Sequence, residues 1–472
     1  MTTPKPTVMK FGGTSVEDAR AFERVCRLVG AQAAETGQQR PVVVVSAMCR
    51  VTDALLAGVQ AASSNGDAGE AARSLDEHFE RHMEVARALL KPDAVAAVGA
   101  SVDETRRVVA EALSAVAEGR GPLAVLQDEI VSHGECLSAR LLTAVLREAG
   151  LPARYVDARR CIVTDDEHGR ATPIKDATER HTCAEIEPLL EAGEVPVLGG
   201  FIASTEGGTT TTLGRGGSDY TAGLVGAALH AHEIQIWTDV PGVLTADPRL
   251  VEHAHTIPRL SYAEAAELAY FGAKVLHPKT ILPAVVRNIP VRICNSRDAS
   301  GPGTVVYFDA EMTPRTVKAI ACKRGIHTVH ITSARMLGDS GFMRAIFEVF
   351  ERHRTSVDLV TTSEVSVSLS LEDTRALDQI VEDLKQIGAV KVESGCAIIC
   401  IVGEGLRSTS GIAGRVFSTI KDINILLISQ GASSINLTFI IEERRVAEAV
   451  ARLHRAFFEC ATSELLAHIG GN

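Results

Sequence analysis

Aromatic residues are scarce, 4% of 472 residues with a single tryptophan, Trp237, so a surface that stacks on exposed nucleic-acid bases is not expected. Cationic excess is missing as well. The net charge of -11 argues against binding a phosphate backbone or an anionic membrane. The N-terminus, MTTPKPTVMKFGG, lacks an apolar signal core, and no apolar run approaches the roughly 20 residues of a membrane span; a cytoplasmic protein is expected. Ten cysteines are present but scattered. The closest pair, Cys396 and Cys400, does not form C-x-x-C, so buried free thiols are expected rather than a disulfide framework or a zinc site, and no metal ligands are assigned. No G-x-x-x-x-G-K-[ST], H-R-D, D-F-G or G-x-G-x-x-G pattern occurs, which removes the P-loop, the protein-kinase fold and a dinucleotide loop.

What is present suits a large soluble chain, with 46% hydrophobic and 23% charged residues and length for about three domains. Over the first 300 or so residues, short apolar runs alternate with amphipathic stretches. Strands are expected at Thr7–Phe11, Val42–Ser46, Val195–Phe201, Ile234–Thr238 and Val291–Cys294. Helices are expected at Val16–Ala34, Ala68–Leu90, Val102–Glu118 and Leu137–Ala149. Several strands are apolar on both faces, as in a covered parallel sheet, whose ligands sit at the carboxyl ends of the strands. Gly- and Pro-containing residues 297–314 read as a linker between a domain at 1–296 and a tail. The tail carries a weak repeat. Gly341 opens a helix with Phe342, Ile346, Val349 and Phe350 on one face, and Gly411 opens another with Ile412, Val416, Phe417 and Ile420. Each is followed by a strand pair and a closing helix (Thr374–Ile387 and Val446–Phe457), which describes two ferredoxin-like βαββαβ modules, at 315–395 and 396–472.

Four polar segments stand out. Lys10 closes the first strand and precedes Gly12, Gly13, Thr14 and Ser15. Ser15 with Asp18 reads as a capping box, and glycine amides, a helix start and a lysine together suit a phosphate; taken alone, the same residues also make a plain strand-to-helix turn. The loop GGTTTTLGRGGSD offers Arg215 as a planar fork for a carboxylate, with Gly216, Gly217 and Ser218 as donors and Asp219 before a helix Tyr220–Ala231; the bland reading is a flexible surface loop. WTDVPGVLTADPR follows a buried strand and places Thr238 and Asp239 at its end. FGAKVLHP contains Lys274, which by itself reads as a solvated lysine. Ser46, Thr52 and Glu135, the last near the start of an amphipathic helix, complete the candidates.

In this order, KFGGTSV, VVSAM, SHGE, GGFI, LGRGGSDY, TDVPG, TADPR, FGAKVLHP and the tail segments RMLGDSGFM, SVDLVTTSEVSVSL and QGASSINL resemble the aspartate kinase family, over nearly the whole chain. The resemblance is to the single-activity, lysine-sensitive type. It implies an α/β fold, the amino-acid-kinase fold of a mostly parallel sheet sandwiched by helices, followed by two ACT modules, one commonly interrupting the other. It implies transfer of the γ-phosphoryl group of ATP, with Mg²⁺, to the β-carboxylate of L-aspartate. Lys10 and Asp219 would be catalytic. Ser46, Thr52, Glu135, Phe201, Arg215, Gly216, Gly217 and Ser218 would hold aspartate. Lys10, Gly12, Gly13, Thr14, Thr238, Asp239, Leu244, Arg249, Lys274 and Val275 would hold the nucleotide; the family often has tyrosine at the position of Leu244. An effector, lysine foremost, would meet Met336, Asp339, Gly341, Phe342, Met343, Ser356, Val357, Asp358, Thr362, Ser363 and Glu364; Asp339 stands where lysine-sensitive relatives often have serine. Pairing into a homodimer or homotetramer through the ACT modules is implied. The alternatives are a kinase for another acidic amino acid and an inactive sensor of the same fold.

Overall fold

A computed structural model describes residues 5–35, 40–272, 276–308, 316–338, 340–431 and 433–459. The described chain divides into two compact units. One is drawn from Met1–Val243, Pro258–Tyr262 and Val275–Ala310, the other from Leu244–Ile257, Ala263–Lys274 and Glu311–Asn472.

The first unit is built on an eight-stranded sheet. Its strands are β1 (Thr7–Phe11), β2 (Val42–Val45), β3 (Ala153–Val156), β5 (Val195–Gly199), β8 (Glu233–Thr238), β9 (Arg259–Ser261), β10 (Val291–Asn295) and β11 (Thr304–Tyr307). Between them in sequence lie β4 (Val163–Thr164), β6 (Ile202–Thr205) and β7 (Thr210–Thr212), which form a small sheet of their own in the order β4-β6-β7. The large sheet runs β3-β5-β2-β1-β8-β10-β11-β9, and every pair is parallel except β10 with β11. Val42, Val43, Val44 and Val45 are all fully buried. Burying both faces removes the need for polar alternation and contributes about 1.5–3 kcal/mol per valine. β11 lies inside the segment read as a linker, yet it belongs to this sheet.

Helix limits differ from those expected where local signals mislead. The first helix is Ala19–Glu35. Asp18, not Ser15, caps it, accepting from the Ala21 amide at 2.8 Å, while Ser15 donates to Ser296 Oγ at 2.9 Å. The stretch Ala68–Leu90 is two helices, Ala68–Arg73 and Asp76–Leu89. Glu135 lies mid-helix in Leu123–Glu148 rather than near a helix start. Asp219 sits in the first turn of Gly217–Ala228 rather than before it.

The second unit holds a six-stranded antiparallel sheet of β12 (Ala319–Thr332), β13 (Leu359–Thr362), β14 (Ser366–Leu371), β15 (Ala389–Val402), β16 (Ile425–Gln430) and β17 (Asn436–Glu442), ordered β13-β14-β12-β15-β17-β16. β12 and β15 each run 14 residues. Their pairing shifts register near Lys323–Thr328, and each strand contains a glycine at φ +71, Gly325 and Gly395. Ala319–Lys323 faces the half of β15 that pairs β17, while His327–Thr332 pairs β14. One βαββαβ module is thus inserted into the other, and residues 395 and 396, the boundary expected between them, fall inside β15. Each module has its own core. One gathers Ile346, Phe350, Leu369 and Leu384, the other Ile399, Val416, Phe439 and Leu453. Ala246 and Val251, from the TADPR region, belong to the latter.

Candidate active site and regulatory cluster

The carboxyl ends of β1, β2, β5 and β8 open into one cleft of about 570 Å³. It is lined by Lys10, Gly12, Gly13, Thr14, Ser46, Thr52, Glu135, Phe201, Gly216, Gly217, Ser218, Asp219, Thr238 and Asp239, so most residues expected for both substrates converge. Lys10 Nζ lies 2.6 Å from Asp219 Oδ1, with both side chains largely shielded. β1 supplies the lysine and the first turn of Gly217–Ala228 supplies the carboxylate, whose charge also suits a helix N-terminus. Gly12 donates to the Trp237 carbonyl at 3.3 Å, joining the glycine turn to the end of β8, and the Phe11 and Trp237 rings stack at 6.1 Å beneath it.

The opposite wall comes from Gly199–Phe201. A Cβ on Gly200 would stand 2.6 Å from the Ser218 Cβ, a distance no side chain tolerates, so glycine permits the GGSD turn to close on β5. Phe201 follows with φ 68 and is fixed through the Thr221 hydroxyl, 3.0 Å from its backbone nitrogen.

Glu135 is the electrostatic anomaly of the cleft. It is 3% exposed, with a long 3.5 Å contact from the Thr52 hydroxyl to Oε1 and no partner for Oε2. Loss of hydration disfavours its charged form and pushes its pKa up to about 8, against weaker lowering by hydrogen bonds at Ala47 and Thr52. A buried carboxyl with an unanswered oxygen in a cleft wall suits an incoming cation.

Other expected residues are not among those lining the cleft. Arg215 is exposed and does not line the cleft. Leu244 and Arg249 belong to the second unit, where Arg249 is held by Asp247 at 2.7 Å. Lys274 and Val275 lie outside the described residues, as does Asp339. Reading the sequence missed several cleft residues, among them Met48, Cys49, Arg50 and Asp53. Arg50 adopts φ 70, and nothing in its local sequence signals this. Among the described residues no three His, Cys, Asp or Glu side chains cluster as a metal site, the described cysteines are free, and no described helix is long and apolar enough to cross a membrane.

The expected effector residues separate as well. Phe342 is buried in a module core, against which Met336, Met343 and Val357 pack, and Thr362, Ser363 and Glu364 are exposed at the β13–β14 turn. Gly341 caps the helix that begins at Phe342, and Ser356 is exposed. The Asp358 side chain, 6% exposed, is engaged at one oxygen: Oδ1 receives Lys323 Nζ at 2.9 Å and the Tyr270 hydroxyl at 2.7 Å, and Oδ2 has no partner. Lys323 also reaches Glu372 at 2.9 Å and stands 5.0 Å above the Tyr270 ring. Nearby, Lys318 and Glu264 form a buried pair at 2.8 Å.

A glycine turn beside a shielded lysine–aspartate pair, on a mostly parallel sheet joined in sequence to paired βαββαβ modules, defines a small-molecule phosphotransferase with a regulatory tail. Residues 5–295 match the amino acid kinase family and residues 399–457 match an ACT domain. Lysine-sensitive aspartokinase 3 of Escherichia coli is 39% identical over 460 residues, 96% of this chain and 99% of that protein. Chloroplastic aspartokinase 1 of Arabidopsis thaliana is 37% identical, over 97% of this chain and 81% of that one. The crystal structure of E. coli aspartokinase III in complex with aspartate and ADP superposes with a TM-score of 0.80 at 37% identity, covering 96% of this chain and 100% of that one. Aspartate kinase of Clostridium acetobutylicum gives 0.82 at 28% identity, with 96% and 100% covered. The chain belongs to the aspartokinase family.

Proposed function

We propose that this chain transfers the γ-phosphoryl group of ATP to the β-carboxylate of L-aspartate, giving 4-phospho-L-aspartate and ADP, under feedback by lysine. The observation that carries the reading is the convergence of Lys10, Asp219, Glu135 and Ser218 on one cleft at the strand ends. Two anions must meet there, so positive charge and amides have to offset their repulsion. Lys10 would stabilise the transferring group, held in place by Asp219. Gly12, Gly13 and Thr14 would line the phosphates, with Thr238, Asp239, Leu244, Arg249, Lys274 and Val275 on the nucleotide side. Glu135 would take the substrate ammonium and Arg215 its α-carboxylate, with Ser46, Thr52, Phe201, Gly216, Gly217 and Ser218 around the acceptor. No general base is required, because a carboxylate is already a nucleophile near neutral pH. Magnesium would arrive on the nucleotide and keep several waters, with Asp219 and Asp239 among the carboxylates of the same cleft.

For regulation, an effector's ammonium would meet Asp358 at Oδ2, which has no partner, while Lys323 and Tyr270 share Oδ1. Inhibition then requires the effector to favour a less active conformation. Self-association through the ACT modules into a homodimer or homotetramer completes the proposal. The test is ADP release measured across acidic amino acids, with and without lysine and threonine. Aspartate should be preferred and lysine inhibitory; turnover with glutamate in preference would support another acceptor, and no turnover a sensor.

A further inference from the structure

Beside the cleft, the helix Leu123–Glu148 carries a second buried carboxylate that the proposed chemistry does not use. Asp128 is fully buried and accepts four hydrogen bonds: from Thr212 Oγ1 at 2.6 Å, the Thr212 amide at 3.2 Å, His168 Nδ1 at 2.8 Å and the Gly169 amide at 3.0 Å. Oδ2 already accepts from the Gly169 and Thr212 amides, and the contact with His168 is assigned with the ring proton on Nδ1. These partners draw two segments together. Thr212 ends β7 and leads directly into Gly214 and Arg215. His168 and Gly169 belong to the loop after β4. Ala171 donates to the Thr212 carbonyl at 2.9 Å, and a Cβ on Gly214, at φ +71, would stand 3.0 Å from the Gly169 carbonyl oxygen. The root of the Arg215 turn is therefore clasped between the helix and the His168 loop.

Asp128 and Glu135 are seven residues apart on that helix, two turns along one face and about 10 Å apart along its axis. We propose that Asp128 and His168 are positioning residues for recognition of the α-amino-acid end of the substrate. One rigid helix sets where the ammonium partner, Glu135, stands and, through Asp128 and His168, where the turn bearing the α-carboxylate partner, Arg215, begins. This rests on the assignment of those two residues to aspartate. Neither positioning residue touches substrate; His168 acts by holding the Gly169–Gly214 contact.

The test is steady-state kinetics of the full chain for His168→Ala, His168→Asn and Arg215→Ala. His168→Ala should raise the KM for aspartate about tenfold, the scale of a lost charge-assisted bond, with the KM for ATP and kcat little changed. His168→Asn, which keeps an N–H near the Nδ1 position, should recover most of that loss. A purely structural histidine would move both KM values and the melting temperature together without rescue by asparagine, and that pattern, or an unchanged aspartate KM, overturns the proposal. If Arg215→Ala also leaves the aspartate KM unchanged, the assignment of Arg215 fails; if it raises that KM while His168→Ala does not, only the positioning role fails.

Discussion

The raised pKa of Glu135, about 8, has a direct kinetic consequence. In the substrate-free cleft the carboxyl is ionised in about one molecule in ten at pH 7 and about one in two at pH 8. An ammonium seated beside it requires the charged form, so at pH 7 ionising the carboxyl opposes aspartate binding. The sign follows: binding expels the proton, and kcat/KM for aspartate should rise about fivefold from pH 7 to pH 8 and level off above the pKa. The assay is initial velocity against aspartate at saturating ATP from about pH 6.5 to 8.5. Calorimetry of aspartate binding in buffers of different ionisation enthalpy should show close to one proton released at pH 7. Glu135→Gln should flatten the profile at a permanently high KM. A flat or falling profile for the unaltered chain, or proton uptake on binding, would refute the argument that burial and a missing partner poise Glu135 for a cation.

Three further outcomes follow from the same geometry. Lys10→Ala should lower kcat by about 10²–10³-fold, as loss of one well-placed charge donor does, with the fold retained by circular dichroism; near-normal kcat removes Lys10 from the reaction. Arg215→Ala should raise the aspartate KM by about 10- to 150-fold, equivalent to the 1.5–3 kcal/mol of a hydrogen bond to a charged group, and a shift confined to the ATP KM contradicts the assignment. Asp358→Ala should abolish inhibition by lysine while activity persists, and inhibition at unchanged lysine concentration places the effector elsewhere.

Much of this architecture is legible in the sequence because local chemistry dictates it. The Val-rich run of β2 and the apolar run of β1 read as covered strands, the alternation in β8 and β10 reads as strand period, and the glycines after Lys10 and around Arg215 mark turns. Legibility falls where the deciding contacts are distant. Ser15 has the chemistry of a helix cap, but Ser296, 281 positions away, takes its hydroxyl, and the cap passes to Asp18. β12 and β15 each serve two modules, so their periodicity gives no sign of where one module ends. The TADPR region reads as part of the kinase half, yet Ala246 and Val251 are buried in an ACT core. Asp358 reads as open to an effector cation, and only the fold brings Lys323 and Tyr270 to it. Asp128 had one available signal, its seven-residue spacing from Glu135, but the three residues that give it four hydrogen bonds are all remote in sequence.

The central claim is that one cleft brings the nucleotide's terminal phosphate to the aspartate side-chain carboxylate. Incubation with ATP, magnesium, aspartate and hydroxylamine tests it most directly, because an acyl phosphate is captured as a stable hydroxamate. The account predicts β-aspartyl hydroxamate and ADP in equal amounts, both lost in Lys10→Ala. ADP formed without hydroxamate, or hydroxamate at the α-carboxyl, would contradict it.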